Sequence, residues 1–137
     1  MNLPAAATTA VSAPVNPAKG GQTHTRLLIV GSGPAGYTAS IYAARALLEP
    51  VLVSGVQVGG QLTITTDVEN YPGFADPIQG PWLVEQMRLQ AEHVGARLAS
   101  DTIVSADLSV RPFRLVGDSG HVYLGDALVI ATGPQAK

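Results

Sequence analysis

Read for runs and alternation of apolar positions, the chain changes character at residue 26. Residues 1–25 (MNLPAAATTAVSAPVNPAKGGQTHT) show neither a helical nor a strand period and are rich in Ala, Thr and Pro. Such a stretch buries too little to offset its ordering entropy and is predicted to be a flexible tail. Leu27, Leu28, Ile29 and Val30 then form a continuous apolar run, the pattern of a strand covered on both faces of a parallel sheet. A glycine-rich turn follows, and then a helix predicted to reach about Leu48, with Ala39, Ala43 and Ala46 small enough for close approach to the sheet. Pro50 closes that helix, and Val51, Leu52 and Val53 form a second buried strand. Strand, turn, helix and strand make a βαβ unit, whose crossover is expected to be right-handed.

The span 54–80 reads as a long loop, broken by Gly59-Gly60, Pro72-Gly73 and Pro77. Residues 81–94 predict a helix with Leu83, Val84, Met87, Ala91 and Val94 on one side and Gly95 at its stop. Residues 96–99 predict a third parallel strand. Beyond it, 103–108, 113–116 and 122–124 are short strands of an antiparallel meander, with Gly117-Asp118-Ser119-Gly120 as the clearest turn. A last buried strand covers 127–131. There is no internal repeat.

The turn after the first strand, Gly31-Ser32-Gly33-Pro34-Ala35-Gly36, satisfies G-x-G-x-x-G in the context that gives the pattern meaning. Gly31 permits the tight turn, Gly33 lets backbone approach a pyrophosphate, and Gly36 lets the helix pack on the strand. Pro34 suits the first helical turn, where a missing N–H costs nothing. Free N–H groups at the helix start favour an anion there, by about 0.3–1 kcal/mol from the dipole alone. Nicotinamide sites place Asp or Glu at the end of the second strand, yet Ser54 stands there; an NADP site wants a nearby cation, yet no Lys or Arg lies between Arg45 and Arg88. FAD fits better than either. The fold class is therefore α/β: a Rossmann-like FAD/NAD(P)-binding βαβ unit with a parallel sheet and a small antiparallel β-meander, incomplete at the C-terminus. Residues 26–137 form this partial FAD-binding domain.

Composition narrows the picture. The 137 residues allow one domain, hydrophobic residues reach 46%, and charged residues are 13%. A net charge of −2 gives no basic excess for nucleic acid, and no apolar run approaches the ~18 residues that span a bilayer, so neither nucleic acid nor membrane is an expected partner. The first acidic residue is Glu49, which leaves the glycine turn free of repulsion toward phosphate; a Pro/Ala/Thr-rich tail that merely lacks acids explains the same fact. With no cysteine, disulfides, thiolate metal sites and thiol nucleophiles are excluded for these residues. His24, His93 and His121 lack spacing for metal or triad chemistry and are read as surface residues. Tyr37 and Tyr42 are read as packing residues.

Residues 31–45 (GSGPAGYTASIYAAR) resemble the bacterial-type, low-molecular-weight thioredoxin reductases. The likeness continues through Val58-Gly59-Gly60-Gln61-Leu62, through Asp67-Val68-Glu69-Asn70-Tyr71-Pro72-Gly73, through Arg111-Pro112-Phe113-Arg114-Leu115, and through Leu128-Val129-Ile130-Ala131-Thr132-Gly133. It implies an oxidoreductase, a flavoprotein that carries electrons from NADPH through FAD to a Cys-x-x-Cys pair and on to thioredoxin. By position, Gly31, Ser32, Gly33, Pro34, Ala35 and Gly36 would hold the pyrophosphate. Ser54, Gly59, Gly60 and Gln61 would lie along the ribose and isoalloxazine side, and Asn70 would bond near the flavin. Thr132 and Gly133 would close the site, and backbone around Thr102 and Ile103 would meet adenine. The resemblance also implies a cytoplasmic protein and leaves a homodimer open.

The sequence departs from that pattern where electron transfer needs it most. In the family, the position of Lys137 leads into the NADPH-binding domain with its redox cysteines, and a later segment returns to complete the FAD domain. The expectation is an N-terminal FAD-binding portion, inactive in dithiol exchange by itself, weak in FAD binding and marginally stable. A cysteine-free relative such as a ferredoxin–NADP reductase, and a non-catalytic flavin- or nucleotide-binding module, remain the alternatives.

Overall fold

The computed structural model describes residues 13–64 and 66–134. Its strands and helices run β1 (Gln22–Val30), α1 (Pro34–Arg45), β2 (Val51–Val53), a 3-10 turn (Gly60–Ile64), β3 (Asp67–Val68), β4 (Ile78–Gln79), α2 (Gly80–His93), β5 (Arg97–Ala99), β6 (Ile103–Asp107), β7 (Phe113–Gly117) and β8 (Val122–Ile130). One sheet carries six strands in the order β5-β2-β1-β8-β7-β6, and β3 and β4 form a separate antiparallel pair. The β5, β2, β1 and β8 strands are parallel; β7 and β6 continue the sheet antiparallel. The expected α/β class, with a parallel sheet and an antiparallel meander, is what the chain adopts.

Alternation along the central strands makes two cores. Ile29 and Leu52 point to the side where Tyr37, Ala44, Leu83, Val84, Met87 and Ala91 of the two helices pack. Leu28, Val30, Val51 and Val53 point to the other, against Val15, Leu115 and Tyr123. Burial on both faces is why Leu28, Ile29 and Leu52 sit in an unbroken apolar run rather than an alternating one.

Several boundaries differ from the sequence expectation, each for a visible reason. The expected tail 1–25 is ordered over its described part: Gln22 to Thr25 belong to β1, and Val15 is buried and bridges Ala99 in parallel, its N–H donating to the Leu98 carbonyl at 3.0 Å. The remainder of that tail, residues 1–12, lies outside the described residues. The α1 helix ends at Arg45, before Leu48 and Pro50, because Leu47 turns left-handed (φ 61) and the Leu48 N–H folds back to the Ala43 carbonyl. Ala43 packs inward, whereas Ala46 lies beyond the helix and is exposed. The two short strands expected at 122–124 and 127–131 are a single strand. It stays continuous because Gly125, where a Cβ would stand 2.8 Å from the Leu28 Cβ, lets β8 lie close on β1.

His121 is also unlike its expectation. It is buried, not on the surface: its Nδ1 accepts the Ala18 N–H at 3.2 Å, its Nε2 meets the Thr23 hydroxyl at 2.8 Å, and its ring lies tilted against that of Tyr123. His24 and His93 are exposed as expected. Tyr37 is buried, but Tyr42 is 75% exposed and packs little.

Candidate functional site

The site forms where β1 runs into α1. Gly33 caps the helix with extended backbone (φ −81, ψ −173), no side chain caps it, and Pro34 occupies the first turn. The first helical bond runs from the Tyr37 N–H to the Gly33 carbonyl at 3.0 Å. The N–H groups of Ala35 and Gly36 consequently have no acceptor within the helix, and no acidic side chain lies in its first turn. That combination suits an anion.

Each glycine of the turn has a distinct steric reason. Gly31 adopts φ 116, and a Cβ there would collide with the Ala131 carbonyl on β8's exit. A Cβ at Gly36 would collide with the Gly31 carbonyl and touch Leu52, which makes Gly36 the close contact between helix and strand turn. Gly33 is different. A Cβ there would meet nothing nearer than the Gly60 Cα at 3.9 Å, so its bareness leaves room rather than relieving a clash.

Three segments converge on this turn. The Gly59 N–H donates to the Ser32 carbonyl at 2.8 Å, which draws the Gly59-Gly60 loop over the turn. Both glycines are left-handed (φ 85 and 61). The Gly31 N–H donates to the Val53 carbonyl at 2.9 Å, and the Ser32 hydroxyl donates to the Ser54 carbonyl at 2.8 Å, joining the end of β2. The Ala131 N–H donates to the Val30 carbonyl at 2.7 Å, bringing Thr132 and Gly133 alongside, and the Gln61 amide reaches the Pro134 carbonyl. Thus Gly31, Ser32, Gly33, Pro34, Gly36, Ser54, Gly59, Gly60 and Gln61 gather with the strand that leads into Thr132 and Gly133. Ala35 is exposed at the helix start. Asn70 is exposed and lines a separate cleft of about 530 Å³ with Leu62, Asp67, Val68 and Glu69.

Two supports hold this arrangement, and the first, at Asp101, escapes sequence reading. The Gly55 N–H donates to the Asp101 carbonyl at 2.9 Å, so the loop after β5 fixes the exit of β2. The Asp101 carboxylate is held in turn by the Ser119 hydroxyl at 2.6 Å, the Tyr123 hydroxyl at 2.8 Å and the Thr102 N–H at 2.9 Å. Burial works against its charge, but these donors prevail and hold the carboxyl below the usual carboxylate range. The only local signal was an Asp-Thr pair separated from β5 by one residue. The second support is Tyr37, beneath the turn, whose hydroxyl is pushed up by burial against the opposing pull of Arg88 and stays a neutral phenol. Among the described residues no cluster of His, Cys, Asp or Glu is arranged to hold a metal ion, and no helix is long and apolar enough to cross a membrane.

The family model described as pyridine nucleotide-disulphide oxidoreductase matches residues 25–137. A thioredoxin reductase of Rickettsia bellii (strain RML369-C) is 58% identical over 113 residues, covering 82% of this chain and 36% of that protein. One of Vibrio cholerae serotype O1 is 60% identical over 114 residues, covering 83% and 36%. The structure of a thioredoxin reductase from Giardia duodenalis matches with a TM-score of 0.80 at 46% identity, over 85% of this chain and 38% of that one. The chain thus spans little more than a third of the length of these relatives, and the resemblance read from its motifs is borne out.

Proposed function

Because the chain belongs to the pyridine nucleotide-disulphide oxidoreductase family, we propose that its glycine turn holds the pyrophosphate of FAD, as the flavin-binding part of an NADPH-dependent thioredoxin reductase. The observation that carries this is the opening at Gly33, with room where a Cβ would stand and the Ala35 and Gly36 N–H groups free of helical acceptors beside it. The donor set fits the group: backbone amides and a helix start for the diphosphate, with no acidic side chain in that first turn.

In this reading Gly31 and Gly36 shape the cradle, Gly33 admits the diphosphate, and the Ala35 and Gly36 amides orient it. Pro34 fixes the helix start, while Ser32 and Ser54 hold the edge toward the ribose. Gly59, Gly60 and Gln61 flank the isoalloxazine side, Asn70 approaches the ring from the adjoining cleft that it shares with Leu62, and Thr132 and Gly133 close the cradle at the end of β8. Bound FAD supplies hydride chemistry, receiving electrons from NADPH and releasing them toward a dithiol. The chain's own share is binding, orientation and exclusion of water. Its 137 residues hold no cysteine, so the dithiol that reduces thioredoxin must come from outside them. The working compartment in this reading is the cytoplasm.

FAD titration, followed by quenching of flavin fluorescence and by competition with ADP, tests the proposal. Saturable binding that ADP displaces, and that Gly33→Val abolishes while the fold's circular dichroism persists, is the expected result. Binding that is indifferent to ADP and to Gly33→Val overturns it.

A further inference from the structure

Ser32 is the one polar side chain inside the glycine turn, and its surroundings are unlike those of a phosphate ligand. It is 2% exposed. Its hydroxyl donates to the Ser54 carbonyl at 2.8 Å and lies 3.4 Å from the Gly59 N–H, which it accepts as the longer branch of a bond made chiefly to the Ser32 carbonyl. A serine has one proton to donate. That proton is committed to the end of β2, and none is left for a phosphate oxygen.

From this geometry we infer that Ser32 is a positioning residue: its hydroxyl and carbonyl tie the end of β2 and the Gly59-Gly60 loop to the glycine turn, and so set the width of the cradle before any ligand arrives. The inference rests on the reading of that turn as a diphosphate cradle and adds what keeps it open. The Gly59-Gly60 loop needs such a tether. Both its residues are left-handed, and a Cβ at Gly59 would stand 2.5 Å from a Val84 methyl of α2. The loop is therefore confined between α2 and the turn, and the hydrogen bond to Ser32 fixes its height above Gly33. The Ser54 carbonyl lies just past the end of β2, and the Ser32 hydroxyl is its hydrogen-bond donor.

Amide hydrogen exchange by NMR on the ligand-free chain is the decisive experiment. In Ser32→Ala the Gly59 N–H keeps its bond to the Ser32 carbonyl, so the loss is read at the Gly55 amide, in the peptide whose Ser54 carbonyl the hydroxyl holds: its protection is expected to fall about five- to tenfold, while Ile29 and Val129 in the sheet keep theirs. Affinities for FAD and for ADP should fall by the same factor as each other, and Ser32→Thr, which restores the hydroxyl, should recover both protection and affinity. A purely global loss of stability would instead raise exchange at Ile29 and Val129 as well, and overturns the inference. So does unchanged exchange at Gly55 with weakened binding, the result a direct phosphate contact would give. Should wild-type chain bind no FAD, the flavin reading fails, yet the exchange at Gly55 still decides the role of Ser32. If Ser32→Ala does not fold, the wild-type Ser32 hydroxyl proton serves: slow exchange with water supports the bond to Ser54, and fast exchange overturns it.

Discussion

The α carbon of Gly36 faces the carbonyl oxygen of Gly31 so closely that no side chain fits between them. Gly33, between the two in sequence, has open space. The two glycines should consequently separate stability from binding. Gly36→Ala is expected to destabilise the fold by about 1–3 kcal/mol or more, since backbone must move. Gly33→Ala should melt within about 0.5 kcal/mol of wild type and lose FAD affinity at least tenfold. Thermal melts and flavin titrations of the pair check this; equal melting temperatures would contradict it.

Asp101 joins the loop after β5 to the turn between β7 and β8 and to the buried Tyr123 hydroxyl. Asp101→Ala should cost about 1–3 kcal/mol, because Tyr123 and the Ser119 N–H lose their acceptor. Its folded-state pKa is lowered below the unfolded value of about 3.9. The charged carboxylate therefore contributes stability above that value, and the contribution is lost as pH falls through the lower, folded one. Urea melts between neutral pH and pH about 2 should show this acid limb flattened in Asp101→Asn; an unchanged limb would refute the assignment.

His121 should behave as a core residue. With the ring replaced in His121→Phe, the Ala18 N–H and the Thr23 hydroxyl lose their partner, at a cost of about 1–2 kcal/mol. The loss should concentrate at the N-terminal side, with exchange at Val15 and Ala18 rising ahead of the sheet. Uniform exchange across the chain would argue against it.

Gly59 makes a complementary test of the loop. Its φ of 85 and the 2.5 Å approach to Val84 leave an alanine no place. Gly59→Ala should lift the loop off the turn and lower FAD affinity by about an order of magnitude, with a smaller drop in melting temperature than Gly36→Ala. A larger drop would place the loop among the elements that hold the fold together.

What the sequence made legible was local. Leu28, Ile29 and Leu52, the G-x-G-x-x-G turn and the Leu83, Val84, Met87, Ala91 face of α2 are each decided within a few neighbouring residues, where period and steric rules operate. What stayed hidden depends on partners far along the chain. Val15 is a lone valine among Ala and Pro, and only the edge of β5 gives it a strand to join. His121 looks like a turn residue until Ala18 and Thr23 arrive at its ring. Within the site, the steric roles of Gly31 and Gly36 followed from spacing, whereas nothing local reveals that the Ser54 carbonyl lies within reach of the Ser32 hydroxyl.

The pairing of β1 with β8 sets a condition on how this protein can come into being. The two strands lie side by side along nearly their whole length, yet His24 and Asp126, which touch across them, are 102 residues apart. On the ribosome β1 is made first; β2 can pair one of its edges early, but the other edge must wait until β8 has emerged. Closing so long a loop before its contacts form makes acquisition of the native sheet slow. The period of greatest vulnerability to aggregation therefore falls during synthesis, and a chaperone that shields Leu27 to Val30 in the nascent chain would protect it then.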